Sequence, residues 1–490
     1  MARFLALDQG SSSSRAAVFD TDGHHTAIVQ RPLAARFPRP GWVEHDPAEL
    51  WNTQLDAGRD ALLAAGVSAL ELDGVAITNQ RETTLVWSRR SGAPIGPAIS
   101  WQDRRTADWC AARRAEPGLA DLVRERTGLV IDPYFAAGKI SWLIDQLPGA
   151  RALAEAGELA FGTVDSWLIW KLTEGAVHAT DVTNASRTML FDIERGAWDE
   201  ELCKLFGIPM ALLPQVKPSA SFFGDTTAFG GTVSVMGVAG DQQAALFGHG
   251  CLAPGQAKNT YGTGCFVLLH TGDEVVRSTH GLITTRAAQI SRIKEYALEG
   301  AVFDAGTVVQ WLRDELGLIT RTADIEPLAA SVIDSGGVVL VPAFNGLGSP
   351  NWDPTARAGI LGMTRGTSRA HIARAALESI ALQSAEVLIA MQADSGMKLH
   401  ELVVDGGASA NDLLMQMQAD LLGVPVRRPH NIEATAFGAA AIAAHTTGSY
   451  QHAEDRDMDS TVFEPMISAD EAASRLDLWR RAVKRICNWP

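Results

Sequence analysis

Apolar residues in this chain gather into short runs that stop abruptly at polar clusters. Phe4-Leu5-Ala6-Leu7 leads into Asp8-Gln9-Gly10-Ser11-Ser12-Ser13-Ser14-Arg15, and Ala16-Ala17-Val18-Phe19 leads out. Two apolar runs around a small polar turn predict a β-hairpin with 8–15 at its tip. Asp22-Gly23 predicts a turn into a further strand over 26–31. Asp46-Pro47, followed by Glu49, predicts a helix start with an acidic first turn. Gly74-Val75-Ala76-Ile77-Thr78 predicts a buried strand that runs into Asn79-Gln80-Arg81-Glu82-Thr83-Thr84. Side chains at the end of a parallel strand are well placed for a ligand crevice. Helical patterning covers 106–126 and 153–159.

A strand pattern returns over 233–238, and Gly240-Asp241-Gln242-Gln243 reads as a turn entering a helix. At that junction Asp241 reads either as an N-cap or as a functional carboxylate. Gly and Pro crowd 248–255, a plausible domain boundary. Lys258-Asn259-Thr260-Tyr261, Gly262-Thr263-Gly264 and Cys265-Phe266-Val267-Leu268-Leu269 then repeat the opening design of strand, small turn and strand. Two halves that open alike suggest an internal duplication with a ligand between the two turns. A helical stretch over 301–316 puts Gly306 and Gln310 on one face, and a long helix over 368–395 stops at Gly396. Leu402-Val403-Val404 ends in Asp405-Gly406-Gly407-Ala408-Ser409-Ala410-Asn411, before a helix over 412–422. A Gly-Gly turn between strand and helix suits a nucleoside packed on backbone.

Composition narrows the class. At 490 residues two domains are expected, and 46% hydrophobic with 20% charged residues is globular. A formal charge of −15 argues against a general nucleic-acid binder. The apolar stretch before Asp8 is too short for a secretory leader, and no run is long enough to span a membrane. Cys110, Cys203, Cys251, Cys265 and Cys487 are scattered without paired spacing, which points to a reduced, cytoplasmic protein without a disulfide frame or zinc site. The opening turn reads as a serine-rich surface loop or as a phosphate cradle, with Gly10 turning the backbone and hydroxyls and N–H groups facing an anion. In a cradle, Asp8 would meet phosphate only through a cation, which makes it a candidate Mg²⁺ carboxylate.

Taken together the segments resemble the sugar-kinase branch of the actin-like ATPases, and within it the glycerol kinases. The most specific blocks are Gly41-Trp42-Val43-Glu44-His45-Asp46, Ile77-Thr78-Asn79-Gln80-Arg81-Glu82-Thr83-Thr84, Gly128-Leu129-Val130-Ile131-Asp132-Pro133-Tyr134-Phe135, Asp181-Val182-Thr183-Asn184-Ala185-Ser186-Arg187-Thr188-Met189-Leu190, Gly240-Asp241-Gln242-Gln243 and Asn259-Thr260-Tyr261-Gly262-Thr263-Gly264. The resemblance implies an α/β chain of two ribonuclease-H-like (actin-like ATPase) domains with an interdomain active-site cleft. An N-terminal kinase domain over 1–247 would carry the acceptor site and first phosphate loop. A C-terminal one over 248–490 would carry the second phosphate loop and the adenosine site. The implied reaction transfers phosphate from Mg-ATP to glycerol, with Asp241 as catalytic base and Asp8 and Asp241 at the metal. Arg81, Glu82, Tyr134, Asp241 and Gln242 would bind glycerol, with Trp101 and Phe266 along its carbons. ATP would lie along Ser11, Ser12, Ser13, Arg15, Thr263, Gly306, Gln310, Gly407 and Asn411. No nucleic-acid or membrane partner is implied, and relatives form dimers and tetramers, so a homo-oligomer is expected.

Two alternatives stay open: a related sugar or polyol kinase using the same cleft, and a non-catalytic actin-like nucleotide switch. The chain also departs from the family pattern. Its phosphate loop has four serines where a Thr pair followed by serines is usual, and Asp304 stands where an apolar residue is usual, facing either solvent or nucleotide. Gly230-Gly231-Thr232-Val233 lacks the Arg through which some bacterial relatives bind the inhibitor fructose 1,6-bisphosphate, which implies weak or absent inhibition. No His lies between His178 and His249, so a histidine-phosphorylation switch known in other relatives should also be missing.

Overall fold

In a computed structural model of the chain, residues 2–344, 346–430, 433–450 and 459–488 are described. The opening pattern folds as a hairpin of Arg3–Gln9 and Ser13–Asp20, with Asp8 opposite Arg15, so the turn is narrower than the polar cluster suggested. His25–Pro32 adds to Ser13–Asp20, while Gly74–Asn79 pairs parallel to Arg3–Gln9 and Val233–Gly240 parallel to Gly74–Asn79. Asp225–Thr226 completes this six-stranded sheet. Alternation along its strands sends Leu5, Leu7, Val75 and Ile77 to one core and Phe4, Ala6 and Ala76 to another. The helix Pro47–Ala65 covers the first face, capped by Asp46, whose side chain accepts the Ala48 N–H.

The second half repeats this plan. Ala257–Tyr261 and Cys265–Gly272 form a hairpin, Tyr296–Val302 adds to its second strand, and Leu402–Asp405 and Val426–Pro429 add in parallel beside its first. Ile283–Arg286 and Ser460–Phe463 form the edges of the resulting seven-stranded sheet. The long helix Arg369–Ser395 is buried along most of its length and ends on Gly396 in the left-handed region, φ 67°. The repetition announced by the two turns therefore extends to strand order and direction.

Three predicted helices differ. The stretch 106–126 is two helices, Ala107–Arg114 and Leu119–Thr127, because Pro117 cannot continue the first and Gly118, at φ 78°, starts the second. Within 153–159 the helix Ala150–Glu155 gives way to the strand Leu159–Gly162. Within 301–316, Ala301 and Val302 finish a strand, and the helix is Gly306–Asp314. In both later cases a short apolar run had the length of either element, and pairing with a neighbouring strand decided it.

The helix Ala434–Thr447, late in the chain, returns to the first sheet, packing Phe437, Ala440 and Ile442 against Phe4, Phe19 and Ala76. It crosses Asp241–Gly248 so closely that a Cβ on Gly438 would lie 1.9 Å from Ala244 O, and one on Gly248 2.1 Å from Ala434 O. Among the described residues no helix is long and apolar enough to cross a membrane, and all five cysteines are free.

Candidate active site

The parallel strands of the first sheet end side by side, with Asp8 in register with Thr78 and Thr78 with Ala239. Two residues beyond Ala239, Asp241 opens the helix Asp241–Gly248. The N-cap is Gly240, so capping does not account for Asp241. Its Oδ1 accepts the Gln242 N–H at 2.7 Å and lies 3.3 Å from Arg81 Nε.

Arg81 and Glu82 are buried within a network spanning both halves. Arg81 Nη1 and Nη2 donate to the two carboxylate oxygens of Glu299 at 2.6 and 2.8 Å, a bidentate pair. Arg187 donates through Nε to Glu82 Oε1 at 2.6 Å and through Nη2 to Glu299 Oε1 at 3.0 Å. The paired Arg fork is thus committed to protein, leaving Arg81 Nε, the Glu82 carboxylate and Asp241 as the polar edge beside the cleft. Trp101 stands edge-on to Tyr134 and to Phe266, each with ring centroids 5.8 Å apart. Gln242 accepts a hydrogen bond from Lys258 Nζ, which also donates to Thr260 Oγ1 at 2.8 Å. Of the seven expected acceptor residues, Trp101 and Tyr134 line, with Thr263, a cavity of about 660 Å³, whereas Arg81, Glu82, Asp241, Gln242 and Phe266 are not among its lining.

Electrostatics single out the carboxylates. Burial pushes Asp8 up to about 7; Arg15 opposes the rise, while the charges of Asp241 and Glu433 add to it. Burial also raises Asp241, against the pull of Arg81 and Lys258. Beside Asp8, the Thr78 hydroxyl is buried without a hydrogen-bond partner. Oxygen donors alone, with the charge of Asp241 adding to the rise of Asp8, fit a hard divalent cation such as Mg²⁺.

A second cavity, of about 400 Å³, is lined by Thr263, Gly306, Gln310, Gly407 and Asn411, with Ile325, Leu377 and Ile380 as apolar wall. Gly306 is required sterically: a Cβ there would lie 2.6 Å from Gly262 O. No protein atom lies within 4 Å of a Cβ on Gly407, so the space over it is open to a ligand. None of Ser11, Ser12, Ser13 and Arg15 lines this cavity. Ser11 Oγ donates to Gln80 Oε1 at 3.2 Å and accepts from Trp101 Nε1 at 2.8 Å, which ties the turn to the acceptor wall. Ser12 is exposed.

Residue-level reading missed several members. Glu299 is the charged residue within the buried strand Tyr296–Val302, a signal readable as a charge inside an apolar run, whereas Lys258 stands among polar neighbours in the strand Ala257–Tyr261. Arg187, within 181–190, braces both Glu82 and Glu299, a role its local sequence does not signal. Glu433, which accepts from Arg15 at 2.7 Å, has no sequence signal. Asp304 is buried, accepting the Phe344 N–H at 3.0 Å and Thr307 Oγ1 at 3.1 Å; it braces a loop and does not face solvent.

Comparison with known proteins agrees with this geometry. Residues 3–248 match the N-terminal domain of the FGGY family of carbohydrate kinases, and residues 257–447 match its C-terminal domain. The chain is 56% identical over 491 residues to the glycerol kinase of Ralstonia pickettii, covering 99% of this chain and 98% of that protein. It is 58% identical over 496 residues to that of Methylibium petroleiphilum, covering 99% of each. The crystal structure of Plasmodium falciparum glycerol kinase with ADP superposes with a TM-score of 0.91 at 34% identity, covering 99% of this chain and 98% of that one. The ligand-bound xylulose kinase of Lactobacillus acidophilus shares the fold, with a TM-score of 0.87 at 18% identity, covering 99% and 98% of the two chains. With two duplicated sheets, a cleft between them and both domain matches in order, the chain belongs to the FGGY family of carbohydrate kinases.

Proposed function

We propose that this protein transfers the γ-phosphoryl group of ATP to a terminal hydroxyl of glycerol, giving glycerol 3-phosphate. The observation that carries the reading is Asp241: a carboxylate raised by burial, 3.3 Å from Arg81 Nε, on the acceptor side of the cleft that also holds the 400 Å³ cavity. A raised carboxylate is a better proton acceptor, and the hydroxyl loses its proton late in a loose transfer. Arg81 Nε donates to one glycerol oxygen and Glu82 accepts from a hydroxyl, while Tyr134 and Gln242 complete the polar contacts. Trp101 and Phe266 cover the carbon faces and exclude water, which would otherwise compete as acceptor. ATP sets its adenosine against Gly407 and Asn411, with Gly306 and Gln310 beside it, and its phosphates between Thr263 and Ser11, Ser12, Ser13 and Arg15. Asp8 and Asp241 would hold Mg²⁺, which would neutralise charge along the phosphates.

We adopt 1–247, with the polar acceptor residues and the first phosphate turn, and 248–490, with the second phosphate turn and the adenosine cavity, as the two domains, Phe266 and the helix Ala434–Thr447 reaching across the division. The five free thiols support a reducing, cytoplasmic setting. ADP release with Mg²⁺ and ATP tests the reading, with glycerol, xylulose, gluconate, ribulose and erythritol as acceptors. Turnover should depend on glycerol and be slow without acceptor. A sugar active in its place would move the chain to a sister kinase, and equal turnover without acceptor would make it a nucleotide switch.

A further inference from the structure

Glu82 occupies an unusual backbone state. Its φ is 62°, left-handed for a residue with a full side chain, and the Thr83 N–H donates to Arg81 O at 2.7 Å, closing a three-residue γ-turn around it. Such a turn persists only where its surroundings fix it. Here the Glu82 carbonyl accepts from Thr84 Oγ1 at 2.9 Å and from Lys139 Nζ at 3.3 Å, while its carboxylate is held by Arg187. Lys139 also donates to the Tyr134 carbonyl at 2.8 Å. It comes from the helix Ala136–Gln146 and has no solvent exposure. A buried ammonium is costly. This one touches the backbone of two residues that carry the acceptor site and makes no salt bridge among the described residues.

We propose that Lys139 is a positioning residue for the acceptor: its ammonium locks the Glu82 turn to the Tyr134 backbone and so fixes the spacing between the Glu82 carboxylate and the Tyr134 ring. The proposal rests on the reading of Arg81, Glu82 and Tyr134 as the glycerol site. Its charge state supports a titratable signature. Burial lowers Lys139 to about 8; Glu82, Asp103 and Asp132 favour the charged form, Arg104 opposes it, and the Cys110 thiol also lies within its field. Below pH 8 the ammonium holds both carbonyls with full charge, and above it the neutral amine holds them weakly. Folding stability should move the other way. An unfolded lysine titrates near 10.4, so between about pH 8 and 10 the unfolded chain binds more protons and the Lys139 contribution to stability improves as pH rises. A purely structural lysine would show that gain without any change in acceptor binding.

The test is steady-state kinetics of the full chain, wild type and the variants K139M and K139Q, from pH 6.5 to 9.5, with circular dichroism as the check on folding. K139M should raise the KM for glycerol on the order of tenfold or more, the scale of a lost charge-assisted bond, with KM for ATP within about twofold. K139Q, a neutral donor, should fall between. Wild-type KM for glycerol should climb above pH 8, and K139M should lack that climb. A K139M value for glycerol within about twofold of wild type, equal rises in both KM values, or an alkaline climb that persists in K139M would each overturn the proposal. If neither variant folds, the wild-type profile decides: a level KM for glycerol across that range overturns it. Absence of glycerol turnover in the wild type would instead refute the functional reading on which the proposal rests.

Discussion

At the scale of single residues the site depends on a few buried charges that satisfy one another. Glu299 partners both Arg81 and Arg187, and these pairs draw its carboxyl below the ordinary range despite burial. Removing its charge leaves two buried guanidinium groups with only Glu82 and Asp241 as counter-charges, so E299Q should cost about 3 kcal/mol in chemical denaturation; a loss under about 1 kcal/mol would show that the network is not built on Glu299. Asp165 makes a cleaner pH prediction because it lies outside the cleft. Burial and then the charge of Asp181 push it up to about 7, while hydrogen bonds from Thr163 and Thr180 act against the rise. A carboxyl raised in the folded state contributes stability that is full below its unfolded value and is lost as pH rises through about 7. D165N should therefore gain on the wild type by about 2 kcal/mol as pH goes from 5 to 8. A pH-independent difference would contradict the assignment.

Elements carry the site by where they end. Three parallel strands of the first sheet deliver Asp8, the 79–84 cluster and Asp241 to one edge, and the second hairpin delivers Thr263 opposite. The helix pair Asp241–Gly248 and Ala434–Thr447 joins the halves, and its spacing is set by Gly248 and Gly438. G438A inserts a methyl where backbone already sits, so it should destabilise by about 1–3 kcal/mol and lower transfer by displacing Asp241, measured by thermal unfolding with parallel kinetics. Wild-type stability and rate in that variant would mean the crossing can spread freely. These ends were legible in sequence where apolar runs stopped at polar clusters, as at Asp8, Arg81, Asp241 and Thr263. Boundaries failed where a short apolar run suited either element, as at Leu159 and Ala301, since strand pairing is a long-range event. The bracing charges were harder still. Glu299 is readable as a charge in an apolar run, but its partners, and the role of Lys258, become intelligible only when a strand of one half is laid beside a helix or turn of the other.

At the scale of the molecule the duplicated plan sets one sheet in each half, and the proposed transfer requires the cleft between them to close. Trp101 is already tied to the first turn through Ser11, so closure would bring the second half down on a wall that is set, confining the acceptor hydroxyl with Asp241. Charge and proton handling then concentrate on one carboxylate. The most direct measurement is the rate of glycerol-dependent ADP formation by D241N, read beside its affinity for ADP. Transfer should fall by about 10²–10⁴-fold while ADP affinity stays within about threefold of wild type. Transfer at the wild-type rate would show that Asp241 is not the proton acceptor.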